Sequence, residues 1–477
     1  MRSAQIASRG GLRRVLLVQY LYYPLYNVAV KHAAKLCKYM PAHGWEPVIL
    51  TKNWVTESAR EDAVFGGHHE PARVAADIGY EPTVVHAPYQ SRENALLRAH
   101  VRLRDRTARG DMAGMPHTVA RKVLSAGYSA FGHYPDEYVG WVEPATRAGA
   151  AAVERLGIDA VLSSCPPTTG HLVGSGIARR TGLPWVALFG DLFGFYVGEG
   201  DLYTTPWRRR VARVLNARWM RPATRVAAVS PAMVEYLQRT YDVPGEVVVV
   251  GFDPDETPNV ARQREHEKFR LVYTGSMYIG DQRPELLFDA LDALCERRPD
   301  VSSKLEVLLV GTRREVELTA MLAERRAKAV CRVVPRVGPD EAIALQHDAD
   351  ALLILNLTNA ATVNGTLSYP SKIFEYLQAR RPILAIPPDP GGWVTHVIDS
   401  TRSGVSLASI DEIATQLELW LDEWEARGKI AFRGDSYAID RFSCDAQAAK
   451  LCTLLDESVR VRASSAAALE HSGAPTP

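Results

Sequence analysis

Short, continuous apolar runs that alternate with helical stretches constrain this chain more than any other feature. Residues 13–20 read RRVLLVQY, and 46–51, 160–163, 184–189, 225–229 and 246–250 repeat the pattern. Unbroken apolar runs of this length belong to strands buried on both faces, as in parallel sheets. Helical segments at 30–43 (closed by Gly44), 170–181 and 231–241 fall between them. A second series follows, with strands at 270–274, 305–310, 332–335, 351–355 and 383–386 and helices at 285–297, 314–328 and 340–347. Two such series predict two doubly wound parallel sheets. Length agrees, because 477 residues exceed what one core serves.

The first strand is not followed by GxGxxG. Gly10 and Gly11 precede it, which excludes a dinucleotide fingerprint. A formal net charge of +1 gives no whole-molecule attraction to nucleic acid, so none is expected as a partner. The six cysteines (Cys37, Cys165, Cys295, Cys331, Cys444, Cys452) form no CxxC and no Cys/His spacing. A zinc or disulfide framework is therefore not expected, and a reducing cytoplasm fits. No apolar run approaches the ~18 residues that a membrane span needs. Residues 1–12 carry arginine but no apolar signal region. The reading is a soluble protein, or one lying at the inner face of a membrane.

Residues 363–386, VNGTLSYPSKIFEYLQARRPILAI, carry the densest chemistry. Gly365 and Pro370 punctuate a loop, Ser371 is a candidate N-cap, and Pro382 ends a short helix before strand 383–386. Ile373, Phe374 and Leu377 share the inward face, whereas Lys372 and Glu375, three apart, share the other. A helix N-terminus suits a phosphate; Lys372 can reach the same anion and Glu375 can accept from hydroxyls. The same spacing also describes an ordinary solvated ion pair.

Other candidates sit after strands, where open α/β sheets bind ligands. Gly275 lets an anion approach the backbone, and Arg283 can neutralise it. Asp191 and the loop Cys165-Pro166-Pro167 lie at carboxyl ends, although Asp191 can equally cap a helix. Two formal DxD pairs, Asp253/Asp255 and Asp348/Asp350, are short enough to recur by chance, and no metal is expected. From Leu202 to Val234 there is no acidic residue, but Arg208, Arg209, Arg210, Arg213, Arg218, Arg221 and Arg225 are present with Trp207 and Trp219. Such a stretch can lie on an anionic bilayer through Arg208–Arg221 or hold a phosphate-bearing acceptor. It can equally be a solvated helix whose Val211, Val214 and Leu215 pack inward.

The run YPSKIFEYLQARRPILAI resembles the donor-binding segment of family 4 glycosyltransferases of the GT-B fold. HYPDEYVGWVEPATRAGAAAVERLGIDAVLSSCPP and GFDPDE resemble further segments of that family. The resemblance implies two Rossmann-like α/β domains facing across a cleft, with a C-terminal helix crossing back. Its divisions are a disordered tail at 1–12, an acceptor-side domain at 13–255 and a linker at 256–268. A nucleotide-sugar domain at 269–442, a crossover helix at 443–462 and a disordered tail at 463–477 complete it.

The resemblance further implies retaining sugar transfer from a nucleotide-diphosphate sugar to a hydroxyl, in glycan, glycolipid or glycoside biosynthesis, with no cofactor beyond that co-substrate. Lys372, Arg283 and the Ser371 helix start would meet the diphosphate, and Glu375 the ribose. Ile373, Gly275, Ser276 and Ser368 would also line the donor. Asp191 would orient acceptor or sugar, with Cys165, Pro166, His171 and Asp136 nearby. The acceptor would be a sugar, a lipid-linked molecule or a small molecule. The chain departs from the family at Leu367, at Ser276 and at Asn27-Val28-Ala29. A sugar-nucleotide epimerase and a non-catalytic nucleotide-sugar-binding subunit remain open.

Overall fold

A computed structural model of the chain describes residues 11–23, 25–26, 28–54, 68–69, 78–90, 134–136, 138–193, 195–196, 200–201, 206–256, 267–277, 282–358, 369–389 and 392–472. Ser368, Leu367, Asn27 and most of the 256–268 linker lie outside those residues. The chain forms two compact units, Met1–Val248 with Ala448–Pro477, and Val249–Gln447.

The first unit is built on seven strands: β1 Arg13–Val18, β2 Trp45–Lys52, β3 Thr83–Ala87, β4 Ala160–Cys165, β5 Trp185–Phe189, β6 Arg225–Ala228 and β7 Gly245–Val247. Their order is β7-β6-β5-β4-β1-β2-β3, and every pairing is parallel. Val15 of β1 lies between Pro47 and Ala160, and Val15, Leu16, Leu17 and Val18 are buried. From β1 the sheet grows one way through β2 and β3 and the other way through β4 to β7. The carboxyl ends of β1 and β4 therefore flank a topological switch point. Strand β3 escaped the sequence reading because it is an edge strand of alternating burial, with Thr83 and His86 exposed.

The second unit has six strands: β8 Phe269–Thr274, β9 Leu305–Val310, β10 Cys331–Val334, β11 Ala351–Leu355, β12 Ile383–Ile386 and β13 Gly404–Ser406. Their order is β10-β9-β8-β11-β12-β13, again all parallel. The switch point here lies between β8 and β11. Phe269, Leu271, Tyr273, Leu353 and Leu384 belong to one buried core with Leu287, Phe288, Leu417 and Leu421 of the covering helices. Helix Ile410–Arg427 starts in a capping box, with Ser409 and Glu412 exchanging hydrogen bonds.

The last helix, Cys444–Ser472, runs well past residue 462. The helix thus takes in residues 463–472, which the sequence reading assigned to the tail. Its alanines are the best helix formers and extend the preceding turns. From Ala448 onward the helix belongs to the first unit. There Asp456 accepts from Trp45 Nε1 (2.8 Å) and pairs with Arg13 (3.1 Å).

Asp348, Asp350 and Asp253 of the two DxD pairs make bonds within the fold. Asp348 pairs with Arg270 (2.9 Å) and Asp350 accepts the Arg270 N–H (3.0 Å). Asp253 is buried and accepts the Asp255 N–H (3.0 Å). Among the described residues no three His, Cys, Asp or Glu side chains gather as a metal site, and no helix is long and apolar enough to cross a membrane.

Candidate active site

In the second unit, Thr274 ends β8 and ties the short helix Lys372–Ala379 to the sheet. Its N–H donates to Tyr376 Oη (3.0 Å), and its hydroxyl accepts from Gln346 Nε2 (2.9 Å). The same Gln346 nitrogen donates to Glu375 Oε2 (3.0 Å). Glu375 is thereby aimed by a buried amide, with Oε1 making no hydrogen bond among the described residues. Ile373, Phe374, Tyr376 and Leu377 are buried, so the inward face expected from periodicity forms, joined by Tyr376.

Lys372 does not point into solvent. Its Nζ is buried, stands 3.6 Å above the centre of the Tyr273 ring, and has no hydrogen-bond partner among the described residues. Burial pulls its pKa down to about 7, while Glu375 pulls the other way. Gly275 follows β8 with φ +98°, a conformation that favours glycine. A Cβ there would sit 3.6 Å from Lys372 Nζ. A lysine nitrogen without a hydrogen-bond partner among the described residues thus lies beside the backbone at the sheet's switch point. An arriving anion would raise its pKa, so that the amine holds a proton taken from solvent, and would gain a charge-assisted contact in a low-dielectric site.

Two donor-side expectations change. Ser371 occupies the N-cap position, but its helical backbone (φ −62°, ψ −18°) makes no side-chain cap; capping needs an extended residue. The first-turn N–H groups of Ile373 and Phe374 already donate to the Pro370 and Ser371 carbonyls. The anion-binding share expected of this helix start therefore falls to Lys372 and the Gly275 loop. The Ile373 side chain is wholly in the core and cannot touch a ligand. Ser276 is half-buried, and its carbonyl accepts from Tyr273 Oη (2.9 Å). Arg283 is exposed beside Gln282, whose amide donates to Leu355 O at the end of β11, so Arg283 stands at the same sheet edge. The sequence reading missed Gln346 and Arg314. Arg314, buried after β9, pairs with Glu317 and keeps Nη1 without a partner among the described residues. Neither residue carries a motif; only the fold brings them to the edge.

In the first unit, the loop after β4 leads into helix Thr169–Thr181. Asp136 is buried and caps that helix from outside, accepting Thr169 N–H (2.8 Å) and Thr169 Oγ1 (2.5 Å) as well as Tyr138 N–H (3.0 Å). Gly190 N–H donates to Cys165 O (2.9 Å), and a Cβ on Gly190 would meet that oxygen at 2.8 Å. This close approach joins the ends of β4 and β5. Cys165 Sγ donates to Asp191 O (3.5 Å), and burial followed by the Asp191 charge pushes the thiol well up, so it is no nucleophile. Burial raises Asp191 to about 7. Asp191 and Pro166 are partly exposed.

His171 is the correction on this side. It is fully buried, bonded through Nδ1 to Ser163 Oγ (2.7 Å), and packed on Phe189 with ring centres 4.2 Å apart. Burial lowers it to about 3, so it stays neutral. Its ring packs in the core, with Nε2 buried and without a hydrogen-bond partner among the described residues. The missed residue here is Gln19, immediately after β1. Its N–H donates to Leu50 O (3.0 Å), yet both side-chain amide atoms are buried without a partner among the described residues.

Residues 29–253 match the family model of the glycosyl transferase 4-like domain. No curated protein matches the chain by sequence at a significant level. Among solved structures, a glycosyltransferase from Rickettsia africae is similar at 13% identity and TM-score 0.56, covering 94% of this chain and 99% of its own. HepE of Anabaena in complex with UDP is similar at 11% identity and TM-score 0.58, covering 94% and 100%. Its complex with UDP-glucose gives 12% identity and TM-score 0.54, over 92% and 99%. The chain has the fold of these enzymes: two Rossmann-like parallel-sheet units of seven and six strands, the GT-B class.

Proposed function

We propose that the protein is a retaining glycosyltransferase that moves a sugar from a nucleoside-diphosphate donor to a hydroxyl of a sugar, a lipid-linked molecule or a small molecule. The observation that carries this reading is the Lys372 ammonium: buried, unbonded among the described residues, and held against the Gly275 backbone with Glu375 fixed one helical turn away. A pyrophosphate supplies what this arrangement lacks. Lys372, with Arg283 from the same edge, would neutralise the charge that grows on the leaving diphosphate. Glu375 Oε1 would accept from the ribose. The acceptor would attack from the face that the diphosphate leaves, with a phosphate oxygen taking its proton, so no carboxylate nucleophile is called for. Asp191 would orient acceptor or sugar.

HepE was crystallised with UDP and UDP-glucose, which makes uridine donors the first probes. The test is a panel of nucleotide sugars, with and without chelator, read for nucleoside diphosphate release and for the anomeric configuration of the product. Release with retained configuration, abolished in Lys372→Ala, supports the reading. Conversion of the sugar without release would make the protein an epimerase. A thermal shift without turnover would make it a binding subunit.

A further inference from the structure

The arginine-rich stretch forms helix Pro206–Met220 in the first unit. Its buried residues are Ala212, Asn216 and Met220, spaced four apart on one face. Of the three residues expected to pack inward, Val211 and Leu215 are half-buried beside that face and Val214 is exposed. The face is anchored by polar bonds: Tyr134 Oη donates to Asn216 Oδ1 (2.6 Å) and Ser175 Oγ to Trp219 O (2.6 Å). The opposite side is the unusual one. Trp207 is 48% and Val214 65% exposed, and the two stand seven residues apart, on one stripe of the helix. Arg210, Arg218 and Arg221 adjoin that stripe and are exposed, with no ion pair among the described residues. Arg179 adds a further guanidinium by donating to the Arg218 carbonyl. A solvated helix would put charges on this face and its apolar residues beneath; here Trp207, with the Arg208 guanidinium over its ring, and Val214 stand exposed beside Arg210, Arg218 and Arg221, which make no ion pair among the described residues.

We propose that the outer face of helix Pro206–Met220 docks on an anionic lipid bilayer, with Trp207 and Val214 entering the headgroup region and Arg210, Arg218 and Arg221 meeting lipid phosphates. Indole and isopropyl groups gain from partial burial at the interface, and guanidinium groups pair with phosphates in a fixed fork. A soluble polyanion would satisfy the arginines but give Trp207 and Val214 nothing. The exposed apolar pair beside the arginines is therefore what favours a bilayer. This inference rests on the helix alone, so it stands or falls separately from the sugar-transfer reading.

The test is co-sedimentation of the full chain with phosphatidylcholine vesicles, alone and with about one-third phosphatidylglycerol. Binding is expected only to the anionic vesicles and should fall with added salt. Arg210→Gln/Arg218→Gln/Arg221→Gln should lower partitioning about tenfold or more. Trp207→Ser/Val214→Ser should lower it as well at unchanged charge. All five side chains are exposed, so both variants should keep the parent melting temperature. Brominated lipid should quench part of the tryptophan fluorescence, and Trp207→Phe should remove that part. Equal binding to neutral vesicles, undiminished binding by the triple variant, or a Trp207→Ser/Val214→Ser variant that binds like the parent would overturn the proposal. So would equally tight binding to a duplex oligonucleotide at the same salt, which would mark a general polyanion patch.

Discussion

The carboxyl edges of the two sheets use polar residues in opposite ways. At the edge of the second, a set of bonded polar side chains surrounds a cation that lies against glycine backbone. Thr274, Gln346, Tyr376 and Glu375 form one bonded set, with Lys372 beside it and unbonded among the described residues. At the edge of the first, Asp136 and Ser163 are spent on shaping a loop and packing a core, and Asp191 is a carboxylate discouraged from ionising. A site for a fixed, highly charged group can be rigid and electrostatic. A site for a neutral hydroxyl gains more from shape, because an unpaired buried charge costs stability with no anion to repay it.

The sharpest way to break this contrast is Lys372→Ala. Removing a preorganised donor of this kind costs about 10²–10³ in turnover, with a smaller loss of donor affinity; normal turnover would show the cation to be structural. Glu375→Ala comes next. Losing hydrogen bonds to a charged group, about 1.5–3 kcal/mol, should raise the donor Kd by about 10- to 100-fold, measured by titration calorimetry with the donor that turns over. Gln346→Leu should raise KM for the donor a few-fold at nearly constant kcat, since it only aims Glu375; a collapse of kcat would place Gln346 nearer the chemistry.

Two pH experiments separate the edges further. Lys372 titrates near 7 when folded and at an ordinary 10.5 when unfolded. The folded protein therefore binds fewer protons between those values, and stability should rise with pH across that window. Lys372→Met should flatten the rise in a melting series. Nucleoside diphosphate binding should take up a proton above pH 7 and weaken as pH climbs, and both effects should vanish in Lys372→Met. Asp191 has the opposite sign: its pKa is raised from 3.8 to about 7, so stability is lost as pH rises across that interval. Asp191→Asn should raise the melting temperature more at pH 8 than at pH 5, and an equal gain at both would mean that Asp191 is not penalised by burial. The smallest expected effect is Gln19→Met. Relieving an unsatisfied buried amide should stabilise by about 1–3 kcal/mol or less, read as a higher melting temperature; a lower one would mean that the amide has a protein partner.

The architecture was legible because its determinants are local. Strands 305–310, 351–355 and 383–386 and helices 231–241 and 285–297 were bounded by apolar runs, prolines, caps and glycines, and all recur at those residues in the structure. Strand β3 was not, since half its side chains face solvent. On the second unit, Lys372 and Glu375 could be named from spacing and from the family resemblance, but the direction of Lys372 could not. Periodicity puts it on the outer face; only the path of β8 and the turn at Gly275 make that face an interior one. Gln346 and Arg314 were invisible because they reach the edge from helices and loops that have no motif. On the first unit, His171 misled because histidine after a strand suits catalysis and core packing equally, and only burial separates them.

The final helix has a practical corollary. Since residues from Ala448 onward complete the first unit, the second is an insertion within it, and no single cut yields both halves intact. A fragment stopping at Val248 would leave Trp45 and Arg13 without Asp456, and Arg225 without Glu457. Supplying residues 448–472 in trans, or joining them ahead of Arg13 in a permuted chain, should restore that half for separate study.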